Sequence, residues 1–443
     1  MPKIHHIKKG LDIPLSGTAP LQLDSYSHSR FIISPGDFKW WSPSLLVNEN
    51  DEVKVGTPLF EDKENSRVKI VSPVSGKINR IHRGAKRKIE MIEIESDSRY
   101  IPIALNIPEN PDRESLIQTL LDTGLWPFIT QRPFGITANP NDKPKSIFVS
   151  CFDTAPLAPD YNFIINRQQE EFLQGLSLLA KLTVGKIHLG LHENQRDTII
   201  TKDTKIETHY FTGKHPAGNV GTQIHHIDPI NKGEVVWCIN PQAVIMIGRL
   251  FLHKKLDFNK IVAVTGCKTT HNRYVELTNG ISLDGLWKDS PLNENTRMIS
   301  GNILTGRDIT QSGAIGFYDS QVTLLQEGGE RELIGWLLPG FKKWSISRTF
   351  TSWLFRKKSY SPDTSLHGGR RPFIMTGVYE KVFPFDILPL QLLKACIIKD
   401  IELMEALGIY EVIEEDFALC EVVCPSKNDC QQIIAEGLRL IRG

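Results

Sequence analysis

The sequence contains no long apolar run. Nowhere does it reach the roughly 18–20 consecutive apolar residues that a membrane-spanning helix needs. The N-terminal segment, Met1–His6, also has no apolar core of the kind found in a secretory signal. We therefore expect a cytosolic protein, which could still dock on a membrane-embedded partner.

An excess of charge of one sign is also lacking. Lys and Arg total 52, and Asp and Glu total 51, in a chain of 443 residues. This balance argues against a protein whose whole surface binds nucleic acid. The seven cysteines form an odd, scattered set, which is typical of reduced thiols in a cytosolic protein.

The usual motifs for nucleotides and metals are missing. There is no G-x-G-x-x-G, no Walker loop and no H-E-x-x-H. Cys420, Cys424 and Cys430 suggest an iron–sulfur cluster, but their spacing departs from the C-x₂-C-x₂-C run that lets three thiolates converge on one cube. We predict ordinary thiols here and no bound metal.

The residues from 31 to 95 show short alternating strands separated by turns, typical of a small all-β module. The phrases Val53–Phe60 and Ser72-Pro-Val-Ser-Gly76 resemble the lipoyl/biotinyl-type barrel-sandwich fold. Lys63 lies near the position where carrier proteins of that fold modify a lysine. It lacks the flanking residues of a true carrier, so we interpret it as part of a polar turn.

Between about residues 110 and 253 the pattern alternates between helices and strands, which favours a parallel or mixed α/β sheet. We predict helices near 114–123, 170–182 and 242–253, and strands near 146–150, 186–190 and 206–211. A third unit with short strands opens at Ile261. The end of the chain is predicted to be helical, with one helix over 387–406 and a tail helix over 431–441.

A loop rich in glycine and histidine, Thr212–Thr222, is followed directly by Gln223–Pro229. Glycine permits a close backbone approach, so the loop either borders a ligand cavity or is purely structural. His225 and His226 are adjacent. On a strand they would point to opposite faces and could not serve one site.

The segment from Phe341 to Lys358 carries six basic residues, five aromatic residues and no acidic residue. This composition suits an anionic, interfacial surface, and it would also suit single-stranded nucleic acid. A core element with a solvated basic edge remains the structural alternative. Docking on a membrane-embedded partner is the functional interpretation that we prefer.

Along nearly its whole length the chain resembles the A subunit of the sodium-translocating NADH:quinone oxidoreductases, which are bacterial respiratory complexes. The resemblance rests on motifs that occur in the same order: Lys9-Gly-Leu-Asp-Ile-Pro14, Leu59-Phe-Glu-Asp-Lys63, Ser72-Pro-Val-Ser-Gly76, Arg132-Pro-Phe134, Asp153-Thr-Ala-Pro-Leu-Ala-Pro-Asp160, Gly213-Lys-His-Pro-Ala-Gly218, Arg297-Met-Ile-Ser-Gly301, Leu304-Thr-Gly306, Tyr379-Glu-Lys-Val-Phe-Pro-Phe-Asp386, Glu414-Glu-Asp-Phe-Ala-Leu-Cys420 and Cys424-Pro-Ser-Lys427.

The resemblance implies a multidomain α/β and α+β protein. We expect a barrel-sandwich β domain over 1–107, a Rossmann-like α/β domain over 108–256, and a small α+β domain of the ubiquitin-like SLBB type over 257–378. A helical domain over 379–443 completes the chain. The family is also similar to the flavin subunit of complex I and to a cluster-bearing Rnf subunit, but this sequence lacks their glycine-rich flavin loop and their regular cysteine spacing.

The resemblance further implies a complex that oxidises NADH, reduces ubiquinone or menaquinone and exports Na⁺. The A subunit is its peripheral member on the cytoplasmic face of the inner membrane and is associated with quinone binding. It carries no cofactor, since FAD or FMN and the iron–sulfur centres belong to the other five subunits. Its partners would be those five, chiefly the membrane subunit with the quinone site, and not nucleic acid.

Two sets of residues follow as candidates. For quinone binding they are Lys214 and His215 as donors, with Gly218 and Gly221 allowing close approach; no catalytic residue is assigned. For docking they are Lys342, Lys343, Trp344, Trp353 and Arg356. Two rival functions remain: a docking scaffold without catalytic role, and a flavin-carrying NADH dehydrogenase subunit like that of complex I.

Overall fold

The structure is a computed structural model, which describes the chain except for residues 1–2, 197, 200–202, 268–271, 289–291, 293–294, 330–339, 342 and 356–357. No helix within the described part is both long enough and apolar enough to cross a bilayer. The first two strands, β1 (Ile4–Ile7) and β2 (Leu23–Ser25), pair with strands that come much later in the chain.

The predicted β module follows. Its two sheets pack face to face around a core that includes Phe60, Ile78 and Ile92, all fully buried. Lys63 lies in the turn of the hairpin between its fourth and fifth strands, as the pattern indicated. One sheet has the order β3-β9-β8-β5 and the other β4-β6-β7. The strands are β3 (Arg30–Ile33), β4 (Pro43–Leu45), β5 (Glu52–Val53), β6 (Pro58–Asp62), β7 (Asn65–Val71), β8 (Gly76–Arg83) and β9 (Ile89–Ser96).

The α/β unit contains a seven-stranded mixed sheet in the order β1-β14-β13-β12-β15-β10-β11. Strands β1, β12, β13, β14 and β15 are parallel, and β10 and β11 form an antiparallel edge. The strands are β10 (Ile129–Arg132), β11 (Ile136–Thr137), β12 (Ile147–Ser150), β13 (Ile187–His192), β14 (Ile206–Gly213) and β15 (Val236–Ile239). The helices are α1 (Arg113–Asp122), α2 (Tyr161–Arg167), α3 (Gln169–Leu179), α4 (Val220–Ile227) and α5 (Pro241–His253).

Helix α4 corrects one expectation. His225 and His226 lie in its last turn and not on a strand. Their side chains still diverge. His225 contacts Glu411 at 2.8 Å, while the ring of His226 hydrogen-bonds the carbonyl of Thr222. The strand interpretation was wrong. The helix has only eight residues and follows a glycine-rich loop, so it contains too few apolar positions to show a helical periodicity in the sequence.

The third unit is a six-stranded sheet in the order β19-β18-β20-β16-β17-β2. Its outer strand β2 comes from the beginning of the chain, and β1 likewise extends the α/β sheet. The first 25 residues therefore tie the N-terminal module to both later units, and they cover two sheet edges that would otherwise leave backbone groups unpaired. The new strands are β16 (Asn259–Gly266), β17 (Arg273–Thr278), β18 (Thr296–Ser300), β19 (Arg307–Asp308) and β20 (Gln321–Gln326).

The C-terminal region is helical and has its own apolar core around Phe383, Phe417 and Leu392. The single helix predicted over 387–406 is instead two helices. Lys399 ends the first in a left-handed conformation, with φ at 59°, and the Asp400 side chain caps the second by accepting from the backbone N–H of Leu403. The helices are α6 (Pro389–Ile398), α7 (Ile401–Ala406), α8 (Ala418–Val423) and α9 (Cys430–Arg442).

Candidate functional site

A cleft of about 410 Å³ opens beyond the carboxyl ends of β12 and β15. Strand β13 lies on one side of β12, and the later strand β15 lies on its other side. The strand order therefore reverses between β12 and β15. Ligands of open α/β sheets bind at such a reversal. The sheet supplies Ser150 and Asn240, and Asn240 also caps α5 through the backbone N–H of Gln242.

Flat aromatic rings form one wall of the cleft. The rings of Phe128 and Phe317 stack with their centres 4.2 Å apart and their planes at 25°. Tyr318 packs edge-on against Phe317 and donates its hydroxyl to the carbonyl of Pro127 at 2.9 Å. The residues come from the α/β unit and from the third unit, so the cleft is an interface between units, where ligand sites commonly lie.

Lys260 is a buried cation on the same wall. Its Nζ donates to the carbonyls of Gly316 and Phe317, at 3.0 and 3.2 Å. Burial lowers the pKa of Lys260 to about 8, and the carboxylates of Asp319 and Asp37 only partly oppose that effect. Near neutral pH the ammonium group is therefore close to its titration point and can both donate a hydrogen bond and release a proton.

A buried ionic group closes the other end of the cleft. Arg132 donates to Asp416 and to Glu415, each at 2.7 Å, and Lys39 donates to Glu414 at 2.7 Å. Burial lowers the pKa of Arg132, but the two carboxylates outweigh it and the net pKa is raised. The desolvation of the Glu415 carboxyl raises its pKa, and the charge of Arg132 opposes that shift. The group joins β10, through Arg132, and the β module, through Lys39, to the C-terminal region.

Two of the four predicted quinone residues, His215 and Gly218, line the cleft. The ring Nδ1 of His215 lies 3.2 Å from the hydroxyl of Thr154, and burial lowers the pKa of His215 to about 4, so the ring is neutral at pH 7. A Cβ on Gly218 would lie 2.6 Å from the backbone nitrogen of Thr154, so this glycine allows close backbone packing.

The other two predicted residues lie elsewhere. Lys214 is exposed and does not line the cleft. Gly221 packs on the buried ionic group, and a Cβ there would meet Asp416 at 2.5 Å and the Arg132 guanidinium at 2.9 Å. Lys260 was not among the residues selected from the sequence. It is the one charged residue of β16 and precedes the apolar run Ile261–Val264, and that isolation was a usable signal.

The comparisons with known proteins agree with this architecture. Family models match residues 5–97 as the NqrA N-terminal barrel-sandwich hybrid domain, 111–256 as the NqrA second alpha/beta domain, and 261–311 as the NQRA C-terminal domain. The A subunit of the Na(+)-translocating NADH-quinone reductase from Yersinia pseudotuberculosis is 38% identical over 443 residues, covering 98% of both chains. The chain belongs to this family.

Other members are about equally similar. The corresponding NqrA protein of Psychromonas ingrahamii is 38% identical and covers 98% of both chains, and that of Rhodopirellula baltica is 37% identical, covering 99% of this chain and 98% of its own. Among solved structures, an NAD+-reducing [NiFe]-hydrogenase in the H2-reduced state is 13% identical, with a TM-score of 0.36 over 50% of this chain and 48% of its own. A likeness that weak supports no conclusion.

In this NqrA family member several described residues of the predicted docking segment lie on the surface. Trp353 is 50% exposed, next to the exposed Leu354 and Phe355, and Trp344 is partly buried. The Arg348 guanidinium lies 5.9 Å from the Trp353 ring centre. Lys343 is partly buried with its ammonium 5.8 Å from the ring centre of Phe350, and Lys358 is exposed. The predicted Lys342 and Arg356 lie outside the described residues.

The three C-terminal cysteines, Cys420, Cys424 and Cys430, are buried. The Tyr379 hydroxyl donates to the Cys424 sulfur at 2.9 Å. Burial raises the pKa of the Cys420 and Cys430 thiols, so both stay protonated.

Proposed function

We propose that the chain works as the peripheral NqrA component of a sodium-translocating NADH:quinone oxidoreductase, on the cytoplasmic face of the bacterial inner membrane. That complex oxidises NADH, reduces ubiquinone or menaquinone and exports Na⁺, and the NADH, flavin and iron–sulfur sites belong to its other subunits. Within it, the cleft of this chain binds the quinone. The names of the full-length relatives support the first statement, and the cleft supports the second.

The main support for quinone binding is that a flat aromatic wall lies next to a buried lysine. A quinone head group is a planar ring with two carbonyl oxygens, and it needs an apolar slot with one or two hydrogen-bond donors. Phe128 and Phe317 supply the flat surface, and Lys260 lies directly beside them. His215 is a neutral ring at the same cleft and serves as a second donor.

The protonation states of Lys260 and His215 are compatible with a quinone, which gains negative charge when it is reduced. Reduction places electron density on the two quinone oxygens, and a nearby ammonium group stabilises that charge. A lysine whose pKa lies at about 8 also delivers a proton more readily than an ordinary lysine does. In this proposal Lys260 takes the role that sequence reasoning gave to Lys214.

Equilibrium binding of a short-chain ubiquinone to the isolated full-length chain tests the proposal. We expect Lys260→Met to weaken binding about tenfold, since a hydrogen bond from a charged donor contributes roughly 1.5–3 kcal/mol. Phe128→Leu and His215→Ala should also weaken it. Lys255→Met, the same substitution as the first at an exposed lysine away from the cleft, is the matched control. Equal affinity in all five proteins would refute quinone binding at this cleft.

A docking role has its own support in the segment 341–358. The segment combines exposed aromatic and aliphatic side chains with Arg348 and Lys358, a composition suited to a membrane surface or to a membrane-embedded subunit. We propose that it contacts the membrane subunit of the complex. This role is compatible with the quinone cleft because the two features involve different parts of the chain.

A further inference from the structure

One face of the α/β sheet gathers histidines from three adjacent strands. His188 on β13 lies opposite Glu207 on β14, and Gly190 lies opposite His209. Side chains two residues apart on a strand share a face, so His188, Glu207 and His209 project from the same side. His5 on β1 joins them through its pairing with Phe211 on β14.

The three side chains converge closely enough to share one ion. The Nδ1 of His188 lies 3.0 Å from the Nε2 of His209. Each of His188, Glu207 and His209 offers a ligand atom within 4.8 Å of the other two. Two imidazole nitrogens bound to one tetrahedral zinc ion lie about 3.3 Å apart, given Zn–N distances of about 2.0–2.1 Å. The observed spacing needs only a small adjustment.

Two ring nitrogens next to the proposed site lack a hydrogen-bond partner in the described part of the chain. The Nδ1 of His209 and the Nε2 of His5 are buried without a hydrogen-bond partner among the described residues.

We propose that His188, Glu207 and His209 bind a divalent zinc ion, with the fourth position held by water. Two imidazoles and a carboxylate form a mixed nitrogen and oxygen set that suits borderline Zn²⁺ better than the hard cations Mg²⁺ and Ca²⁺. The ion clamps β13 to β14 on the face that α4 covers. It lies apart from the quinone cleft, since none of its three ligands lines that cleft.

The Lys186 ammonium contacts the Glu207 carboxylate at 3.1 Å and competes with the ion for it. The pair is about half exposed, so its attraction is weak and the ion displaces it. Removing the charge of Lys186 should therefore increase the affinity for zinc. If the two histidines had only a structural role, this substitution would have no such effect.

The test is titration of the chelator-treated full-length chain with Zn²⁺ by calorimetry, with Co²⁺ absorption as a probe of coordination geometry. We expect one ion per chain, and we expect His188→Gln and His209→Gln to weaken binding at least about tenfold. His253→Gln is the matched control, because His253 also lies near a carboxylate, Glu171 at 3.4 Å, but is exposed. It should bind zinc as the wild type does.

If the loss of a buried histidine prevents folding, two surface substitutions still test zinc binding. Glu207→Gln should weaken zinc binding and Lys186→Gln should strengthen it, each by severalfold, and circular dichroism verifies their folding. The proposal is overturned if the wild type takes up no zinc after chelator treatment. It is overturned equally if neither surface substitution changes the affinity, or if the His188 and His209 variants fold and bind as the wild type does.

Discussion

His215 shows at the scale of one residue how burial sets protonation. The side chain is 4% exposed, and burial lowers its pKa to about 4 from the ordinary value of 6.5. Between pH 6.5 and 4 the unfolded chain therefore binds a proton at this position that the folded chain does not bind. The contribution of His215 to stability is present above pH 6.5 and is lost as the pH falls towards 4.

We accordingly expect His215→Gln to reduce the acid sensitivity of the protein. In the wild type, lowering the pH from 7 to 5 should cost about 2 kcal/mol through this residue alone. The variant should show a smaller drop in the midpoint of thermal unfolding between these pH values. His6→Gln, at an exposed position of β1, should retain the full wild-type drop. Identical drops in wild type and His215→Gln would contradict the assignment.

Gly221, which the sequence suggested for quinone binding, packs against a buried ion pair. Its lack of a side chain makes room for the Arg132 guanidinium and the Asp416 carboxylate, and it does not border the cleft. Both partners lie in motifs that the sequence displayed separately, Arg132-Pro-Phe134 and Glu414-Glu-Asp-Phe417. Their separation of 284 positions along the chain hid the ion pair until the fold brought them to 2.7 Å.

At the scale of the element, apolar periodicity predicted most helices and strands of the α/β unit. The helices predicted at 114–123, 170–182 and 242–253 are α1, α3 and α5, with small shifts at their ends. The break between α6 and α7 escaped detection because Lys399 and Asp400 are ordinary residues in a helical pattern. Only the left-handed backbone at Lys399 reveals the break.

That break leads to an expectation about a single substitution. Lys399→Gly should stabilise the protein by about 0.5–1 kcal/mol, because glycine adopts the left-handed conformation at a helix end without steric cost. Lys394→Gly is the matched control: the same change at an exposed position inside α6 should destabilise by about 1 kcal/mol. Thermal or urea unfolding of the two variants measures both effects. The same sign for both would show that Lys399 does not end the helix.

At the scale of the whole molecule, the proposed docking role of the segment 341–358 can be tested by charge reversal. Reversing three cations of the described part, with Lys343→Glu, Arg348→Glu and Lys358→Glu together, should reduce co-purification with the membrane subunits at least about tenfold. The reason is that reversing charges on a docking surface replaces attraction to the partner subunit by repulsion. Affinity purification through a tagged membrane subunit measures the recovered fraction of this chain.

The control for that experiment reverses Lys54, Lys77 and Lys86, three exposed lysines of the β module. It changes the net charge by the same amount and should leave assembly intact. If both triple variants assemble as the wild type does, the segment has no docking role. If both fail equally, net charge and not this segment governs assembly.

The fold class, the β module, the alternation of the central unit and the family membership were all predictable from the sequence. Each of these depends on local apolar period, turn residues or ordered motifs, which are readable along the chain. In contrast, the identity of the buried charges, the position of the cleft and the contact between the histidines could be seen only in the folded chain. Those properties arise from contacts between residues far apart in sequence, such as Lys260 with the carbonyl of Phe317 and His188 with His209, and they follow from strand order and packing, not from any local pattern.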